Sequence, residues 1–242
     1  MKELLKRALA YTPYRVVHSR NSNRFDATEE CLKGLHDRGY RPRLLIDGGA
    51  HAGSFSLTAS RIFPGLECHL IDPQPACAPA LRALCDRESF TFHPFALGDS
   101  NGVAIFQLTE APSTGAQVNP HPAEPTIDVG CRTLDTLFPS ISRDQHTLLK
   151  LDIQGREIAA FRGAERVLKS VEIIIVEVTF YTAWGHPLVT ETIKSLADAG
   201  FQLYDVALLA GRPRDNRLAA GDLIFCRNDS TLATDVNDDN VD

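Results

Sequence analysis

The feature that most constrains this chain is the regular alternation of apolar, strand-forming runs with segments that repeat at helical spacing. The apolar runs predict seven strands, over Leu44–Asp47, Cys68–Asp72, Phe90–Leu97, Thr147–Ile153, Glu172–Thr179, Phe201–Leu208 and Asp222–Arg227. The segments between them predict helices over Ser54–Phe63, Pro75–Cys85, Gly155–Lys169 and Pro187–Ala199. This alternation favours right-handed βαβ crossovers, and therefore an α/β fold with a doubly wound, mainly parallel seven-stranded sheet. Because no helix separates the last two strands, we expect the last strand to be antiparallel.

Three parts are predicted along the chain. Residues 1–42 form an N-terminal helical segment, with helices over Lys2–Ala10 and Ala27–Asp37, which we expect to pack on the core. Residues 43–228 form a single domain, which is the default for a chain of 242 residues. Residues 229–242 are polar and acidic, so we expect this tail to be disordered.

One long connection interrupts the alternation. A strand predicted over Val103–Leu108 is followed by a stretch rich in Pro, Gly and Ser, which ends in another predicted strand over Thr126–Val129. In a compact domain such a connection is either a lid or substrate loop, or plain surface disorder. The sequence leaves both interpretations open.

The charge of the chain argues against a broad nucleic-acid-binding surface. The net charge is −6, but five of the acids lie in the tail from residue 229 onwards, so the body of the protein is nearly neutral. Residues 1–43 carry an excess of Lys and Arg. Such an excess suits an anionic partner, although a solvated helical face is the commoner explanation.

Cysteine usage and hydropathy predict a cytoplasmic protein. The six cysteines form no CxxC pair, which indicates reduced, structural thiols. The N-terminus lacks the apolar core of a signal peptide, and no stretch approaches the roughly eighteen apolar residues of a membrane span. No His or Cys spacing matches a metal site, so we expect no required metal. The oligomeric state stays open.

The stretch RLLIDGGAHAGSF, residues 43–55, combines a strand, a glycine-rich turn and the start of a helix. Such a turn lets backbone N–H groups approach a ligand closely, as in dinucleotide-binding proteins. Asp47 at its mouth would oppose a pyrophosphate by several kcal/mol at an effective dielectric constant of about 20. S-adenosylmethionine instead carries a positive ammonium and a positive sulfonium, so Asp47 favours this cofactor over NAD. The alternative is that Asp47 only stabilises the turn.

Two further acids end predicted strands. Ligands of open α/β sheets bind at the carboxyl ends of the strands, so Asp47, Asp72 and Asp152 are expected to face one crevice. Asp72 is suited to accept both hydroxyls of an adenosine ribose, and its alternative role is an N-cap. Asp152 is predicted either to orient the cofactor ammonium or to accept the proton of an acceptor hydroxyl, and it too has N-capping as a local alternative.

Five blocks follow one another between residues 43 and 180: LLIDGGAHAGSFSLTASRIFP, HLIDPQP, FHPFALGDSNG, RTLDTL and LLKLDIQGREIAAFRGAERVL. In order and spacing they resemble the FkbM-type methyltransferases, a family with the class I, Rossmann-like fold that uses S-adenosylmethionine. The resemblance implies that the methionine part of the cofactor is surrounded by Asp47, Gly48, Gly49 and Gly53. It also implies that Asp72 binds the ribose and that the stretch Pro94–Ala96 lies near adenine, with Ala96 as a cofactor-binding residue.

The chain departs from the family pattern at two of these positions. His51 stands where the family commonly has Asn, at a position that implies a contact to the amino-acid end of the cofactor. Asp72 stands where the family commonly has Glu, so the ribose acceptor is kept with a shorter reach.

Four residues are predicted to carry the chemistry. Lys150 and Asp152 alternate along a strand and therefore point to the same side of the sheet. Glu177 interrupts the apolar run IIIVEVTF, where a carboxylate is expensive to bury without a partner, and this indicates a site residue. His186, in the loop YTAWGHP, could act as a base near neutral pH, although a loop histidine is more often simply exposed.

These features predict an S-adenosylmethionine-dependent methyltransferase. The resemblance implies transfer to a hydroxyl oxygen of a small molecule, a glycan or a carrier-bound intermediate, although the same residues would equally serve a nitrogen nucleophile. One alternative is a nicotinamide-dependent oxidoreductase, which is disfavoured by Asp47 and by Ala50 at the second glycine position of the dinucleotide motif. The other is a non-catalytic module that keeps the pocket and binds a partner through its basic N-terminal segment.

Overall fold

A computed structural model describes residues 24–107, 126–182, 186–212 and 214–234 of the chain. Its strands are β1 (Leu44–Gly48), β2 (Glu67–Ile71), β3 (Thr91–His93), β4 (Ala96–Leu97), β5 (Gly102–Gln107), β6 (Thr126–Arg132), β7 (Thr147–Leu151), β8 (Val171–Thr179), β9 (Phe201–Gly211) and β10 (Leu218–Arg227). Its α-helices are α1 (Arg24–Asp37), α2 (Ser54–Ile62), α3 (Ala78–Glu88), α4 (Leu134–Leu137), α5 (Glu157–Arg162), α6 (Val189–Asp198) and α7 (Thr231–Thr234). Short 3-10 helices cover Arg143–Gln145 and Val167–Lys169.

Seven of the strands form the main sheet, in the order β3-β2-β1-β7-β8-β10-β9. All its neighbouring pairs are parallel except those of β10, which runs antiparallel to both β8 and β9. The predicted α/β fold with a mainly parallel seven-stranded sheet and an antiparallel last strand is therefore confirmed. The last strand inserts between β8 and β9, and so β9 forms the edge of the sheet.

Helices cover both faces of the main sheet. Helices α1, α2 and α3 bury one set of apolar side chains, which includes Leu32, Leu35 and Leu81. Helices α4, α5 and α6 bury a second set on the opposite face. The strands between these layers are apolar on both sides, as β8 shows with a nearly unbroken buried run. Both faces of the sheet are thus closed, and a ligand can reach the sheet at the ends of its strands.

The described part of the N-terminal segment packs on this core. Helix α1 contacts α2 and β9, and Leu32 and Leu35 on it are completely buried. The helix predicted over Lys2–Ala10 lies outside the described residues, as does most of the long connection predicted between Val103–Leu108 and Thr126–Val129. Strands β5 and β6, which flank that connection, join β4 in a small sheet with the order β4-β6-β5.

The strand predicted over Phe90–Leu97 is two strands in two different sheets. Its first half, β3, pairs with β2 in the main sheet, and its second half, β4, pairs with β6 in the small sheet. Pro94 lies between the halves and has no N–H to continue a ladder, while the N–H of Phe95 turns back to donate to the carbonyl of His93. The prediction of a single strand is therefore wrong, because the chain changes sheets at this proline.

The helix predicted over Gly155–Lys169 is shorter than expected. Helix α5 ends before Gly163, and a 3-10 helix follows over Val167–Lys169. The carbonyl of Gly98 approaches Gly163 so closely that a Cβ atom there would lie 2.2 Å from the carbonyl oxygen. The helix is interrupted where a distant segment packs against its backbone.

The folded region extends past the predicted boundary at residue 228. Helix α7 packs Leu232 into the core, and Ser230 is buried with its hydroxyl donating to Glu172. The expected tail therefore contains an ordered beginning, and residues 235–242 lie outside the described part of the chain.

Two further predictions can be compared with the structure. All six cysteines are free thiols, and five of them are buried. Among the helices of the described ranges, none is both long enough and apolar enough to cross a bilayer.

Candidate active site

The candidate site lies where the strand order of the main sheet reverses. From β1 the chain crosses to β2 on one side, whereas β7 leads to β8 on the other, and this opens a crevice at the carboxyl ends of β1 and β7. Two cavities of about 580 and 800 Å³ occupy the crevice. The first is lined by Gly49, His51, Ile71, Asp72, Pro73, Gln74, Phe95, Ala96, Leu97, Phe106, Asp152, Ile153, Gln154 and Arg156. The second is lined by Thr28, Gly49, Ala50, His51, Ala52, Ser54, Phe55, Thr58, Lys150, Leu151, Asp152, Ile175, Glu177 and Asp222.

The two cavities meet at Gly49, His51 and Asp152, which line both. Gly49 has a φ of 77° and donates its N–H to the carbonyl of Ile71 at 2.9 Å. A Cβ atom at Gly49 would lie 1.9 Å from the carbonyl oxygen of Asp152. The turn after β1 and the end of β7 therefore approach each other so closely that only glycine fits between them.

Asp47 lies beneath the turn and lines neither cavity. Its side chain is 0% exposed, the hydroxyl of Ser56 donates to Oδ2 at 2.7 Å, and Nζ of Lys150 lies 3.3 Å from Oδ1. This arrangement corrects the expectation that Asp47 faces the ligand. Its charge is offset by Lys150, and the alternative interpretation, a side chain that stabilises the turn, describes its position.

Lys150 ties the turn to β7. Its ammonium donates to the carbonyl of Gly49 at 2.9 Å and to that of Gly48 at 3.3 Å, and it lies beside the Asp47 carboxylate. The same nitrogen lies 3.9 Å from Oδ2 of Asp152 at the wall of the second cavity. These contacts join β7 to the turn after β1, and a part for Lys150 in the chemistry stays a prediction.

Asp72 lines the first cavity and is 1% exposed. Its carboxylate accepts from the backbone N–H of His51 at 2.7 Å and from that of Gln74 at 2.9 Å. Burial raises the pKa of this carboxyl group, and the two backbone hydrogen bonds oppose the rise. Since a carboxylate has about four lone-pair directions, Asp72 keeps acceptor capacity for a ligand.

The first cavity also has apolar lining residues, Phe95, Ala96, Leu97 and Phe106. Ala96 therefore lines the same cavity as Asp72, and its predicted place near adenine stays a prediction. A cavity lined by a carboxylate and by apolar side chains suits a ligand with a polar and a flat apolar part.

Two polar side-chain atoms at the cavities are buried without a hydrogen-bond partner among the described residues. They are Nε2 of His51 and Nε of Arg156. The His51 residue lines both cavities, and Arg156 lines the first. Because buried polar atoms are nearly always paired, these two indicate that a bound molecule completes the site.

An amide links two carboxylates in the crevice. The side-chain N–H₂ of Gln154 donates to Oδ1 of Asp152 and to Oε2 of Glu177, each at 2.8 Å. Asp222 stands directly opposite Glu177 in the antiparallel ladder between β8 and β10, and both line the second cavity. Three carboxylates of the described residues therefore surround that cavity.

Three more predicted site residues lie outside both cavities. A Cβ atom at Gly48 would meet Leu151 and Leu97, and one at Gly53 would meet Leu84, so both glycines serve close internal packing. The ring of His186 lies close to Gly155 in the turn that follows β7, and burial lowers the pKa of His186. Roles for these three residues at the site stay predictions.

A comparison with protein families now bears on this site. The Methyltransferase FkbM domain matches residues 47–203, a span that contains the turn, Asp72, Asp152 and Glu177. The chain belongs to the FkbM methyltransferase family. The predicted family, class I fold and S-adenosylmethionine cofactor are confirmed. The comparison with curated proteins gave no match.

Several solved methyltransferase structures are similar to this FkbM family member, and the first of them shares its fold. An FkbM methyltransferase from Methylobacillus flagellatus KT has 14% sequence identity and a TM-score of 0.50, and the match covers 86% of this chain and 59% of that one. A 1,6-didemethyltoxoflavin-N1-methyltransferase from Burkholderia thailandensis, with bound substrate and S-adenosylhomocysteine, has 14% identity, coverages of 83% and 78%, and a TM-score of 0.47. The magnesium protoporphyrin IX methyltransferase from Synechocystis PCC 6803, with bound S-adenosylhomocysteine, has 10% identity, coverages of 94% and 95%, and a TM-score of 0.46.

The sequence analysis did not single out several residues at the candidate site of this family member: Ser56, Gln154, Arg156, Asp222, Phe55, Phe106 and Thr28. Asp222 carried a usable signal. An antiparallel strand begins at the edge where parallel strands end, so an acid at the start of the last strand is expected at the same crevice. Within the described ranges, no group of three or more His, Cys, Asp or Glu side chains is arranged to hold a metal ion.

The buried carboxyl group of Glu157 accepts hydrogen bonds from the turn after β7. We expect its titration to make the stability of the fold depend on pH. It accepts from the backbone N–H of Ile153 at 2.9 Å and of Gly155 at 3.3 Å. Burial, against these hydrogen bonds, raises its pKa from 4.5 to about 7. Between these values the folded protein keeps a proton that the unfolded chain has lost, so stability falls as pH rises through this window.

The expected loss attributable to Glu157 is about 3 kcal/mol in the free energy of unfolding. Glu157→Gln removes the titrating group and keeps an acceptor oxygen, so the variant should lack this part of the decline. Urea denaturation of both proteins, below and above the window, measures the difference. An identical pH dependence in the two proteins would contradict the prediction.

Proposed function

We propose that this FkbM methyltransferase transfers the methyl group of S-adenosylmethionine to a hydroxyl oxygen of a small molecule, a glycan or a carrier-bound intermediate. The observation that carries the proposal is the meeting of two cavities at Gly49, His51 and Asp152. One cavity suits the adenosine end of the cofactor, and the other suits a cationic centre with an acceptor beside it.

The first cavity fits adenosine by its chemistry. Asp72 is an acceptor for ribose hydroxyls, and the apolar wall that includes Phe95 and Phe106 suits a purine ring. The unpartnered buried nitrogens of His51 and Arg156 offer polar contacts to such a ligand. The close approach at Gly49 brings backbone groups to the point where the cavities join.

The second cavity supplies the groups for methyl transfer. When bound, S-adenosylmethionine supplies a methyl group on a positively charged sulfur. Asp152 and Glu177 are the candidates to accept the proton of the acceptor hydroxyl, since both are carboxylates at this wall. Gln154 holds the pair in place through its two hydrogen bonds. Lys150 keeps the turn and β7 in register, and positioning of this kind provides much of the rate enhancement in a displacement reaction.

Three carboxylates line the second cavity, those of Asp152, Glu177 and Asp222, and Nζ of Lys150 lies 3.3 Å from Asp47 and 3.9 Å from Asp152. Membership of a methyltransferase family and these three acids argue against the nicotinamide alternative. A cytoplasmic location stays a prediction, and the six free thiols support it.

A calorimetric titration with S-adenosylhomocysteine tests the cofactor site. We expect micromolar binding, weakened about tenfold in Asp72→Asn because a charge-assisted acceptor for the ribose is lost. Asp86→Asn, at an exposed position on α3, is the matched control and should bind as the wild type does. Tight NAD binding without S-adenosylhomocysteine binding would overturn the proposal.

Transfer of a labelled methyl group to an extract of the source cell tests the activity. Incorporation into an extractable product separates the enzyme from a non-catalytic module that keeps the pocket. Binding of S-adenosylhomocysteine with no incorporation into any fraction would favour the module.

A further inference from the structure

We propose that Arg156 recognises the base of the cofactor, and that its guanidinium donates a hydrogen bond to a ring nitrogen of adenine. The inference rests on the proposed function, because that function assigns the first cavity to adenosine. It adds a residue that makes the site specific for the base, whereas Asp72 is assigned to the ribose.

The guanidinium of Arg156 has hydrogen-bond donors without a partner at the cavity. Arg156 lines the first cavity, and its Nε is buried with no hydrogen-bond partner among the described residues. No hydrogen bond or ion pair joins the rest of the guanidinium to the described part of the chain either. A guanidinium carries five N–H donors and no acceptor, and buried donors are nearly always paired. A ligand with an acceptor atom in this cavity would supply a partner.

The backbone of Arg156 is held in place by the turn after β7. Its carbonyl accepts from the N–H of Ala160 in α5 at 2.9 Å. The next residue, Glu157, is buried and accepts from the N–H groups of Ile153 and Gly155. The side chain therefore starts from a fixed point at the cavity wall. Less conformational freedom is lost on binding from such a position than from a mobile loop.

An aromatic ring at the same cavity is also held in place. Phe95 lines the first cavity, and the guanidinium of Arg132 lies 4.9 Å from the centre of its ring. Gly130 lies on the same face of β6 as Arg132, and a Cβ atom at Gly130 would lie 2.9 Å from the Phe95 ring. The ring therefore packs closely on β6. A fixed ring offers an apolar surface to a purine, and polar groups can then recognise the edge of the base.

Adenine offers the kind of atom that a guanidinium needs. Its ring nitrogens N1, N3 and N7 are hydrogen-bond acceptors, whereas the carboxylates of Asp72 and Asp152, which line the same cavity, can pair only with donors. An anionic ligand would also suit an arginine, but in this cavity it would share the space with both carboxylates. Adenine is neutral and meets no such repulsion, so the lining residues favour the base over an anion.

Calorimetry with S-adenosylhomocysteine and its three deaza analogues tests the proposal. In each analogue a C–H group replaces one acceptor nitrogen, N1, N3 or N7, and the shape of the base is kept. We expect one analogue to bind the wild-type protein about tenfold more weakly than S-adenosylhomocysteine does. Arg156→Met should bind S-adenosylhomocysteine about tenfold more weakly, and should bind that analogue equally well. Arg162→Met, at an exposed position of α5 outside both cavities, should keep the wild-type preference.

Each outcome decides the proposal. Equal binding of all four ligands to the wild-type protein overturns the recognition of a ring nitrogen, while their binding leaves the proposed function standing. A preference that survives in Arg156→Met overturns the role of Arg156. Failure of S-adenosylhomocysteine to bind removes the proposed function and this inference with it. If Arg156→Met does not fold, Arg156→Gln, whose shorter side chain stays polar, is measured in its place and should lose the preference as well.

Discussion

Gly49→Ala is expected to destabilise the protein by about 4 kcal/mol and to abolish binding of S-adenosylhomocysteine. The added Cβ atom would lie 1.9 Å from the carbonyl oxygen and 2.8 Å from the carbonyl carbon of Asp152. Both are backbone atoms, so no side-chain rotation relieves the contact, and β1 and β7 must separate at the junction of the two cavities. Chemical denaturation measures the loss of stability, and calorimetry measures the loss of binding.

Gly65→Ala is the matched control for this variant. Gly65 has a φ of 81°, close to the 77° of Gly49, but a Cβ atom there has nothing within 4 Å. The control should therefore lose only about 1 kcal/mol of stability, because alanine disfavours a left-handed backbone. It should bind S-adenosylhomocysteine as the wild type does. If the two substitutions destabilise the protein equally, the close approach of Gly49 to Asp152 does not contribute to the loss of stability.

Asp47→Asn is expected to cost about 3 to 5 kcal/mol of stability, because it leaves the Lys150 ammonium beside a neutral amide in a buried position. Asp47 is 0% exposed, and its oxygen lies 3.3 Å from the ammonium nitrogen. Ser56 can still donate to the amide oxygen, so the loss reports mainly on the charge. Urea denaturation of the single variant measures it.

The double variant Asp47→Asn/Lys150→Met separates the ion pair from other effects. Since it removes both charges, it should recover at least half of the stability lost in the single variant. If the single variant loses less than about 1 kcal/mol in the free energy of unfolding, the ion pair contributes no more than a solvent-exposed pair does, and the prediction is wrong. A double variant less stable than the single one would show that Lys150 stabilises the turn mainly through the carbonyls of Gly48 and Gly49.

The parallel strands of the main sheet could be predicted because the pattern that marks them is local. Mostly apolar runs mark β1, β7 and β8, and turn residues follow β1 and β7. Predictions failed where a contact distant in sequence changed the local outcome. Pro94 lets the chain leave one sheet for another, and the approach of Gly98 ends a helix at Gly163.

The residues of the candidate site also divide into those that a local pattern predicts and those whose place depends on distant parts of the chain. Asp72, Gly49 and Asp152 were predicted because strand ends and glycine turns are visible in one stretch of sequence, and all three line the crevice. Asp222 was missed because its place depends on the direction and register of the last strand. His186 was predicted from its side-chain chemistry alone, and in the structure its ring lies close to Gly155.

The amino-acid sequence by itself determined the α/β class, the family and the end of the sheet at which the ligands bind, because period and turn chemistry set the direction of each element. Only the tertiary structure decided which carboxylates line the crevice. It buries Asp47 against Lys150 and brings Asp222 opposite Glu177. The reason is physical: the effect of a charge depends on its burial and on its nearest partners, and those partners come from strands far apart in the chain.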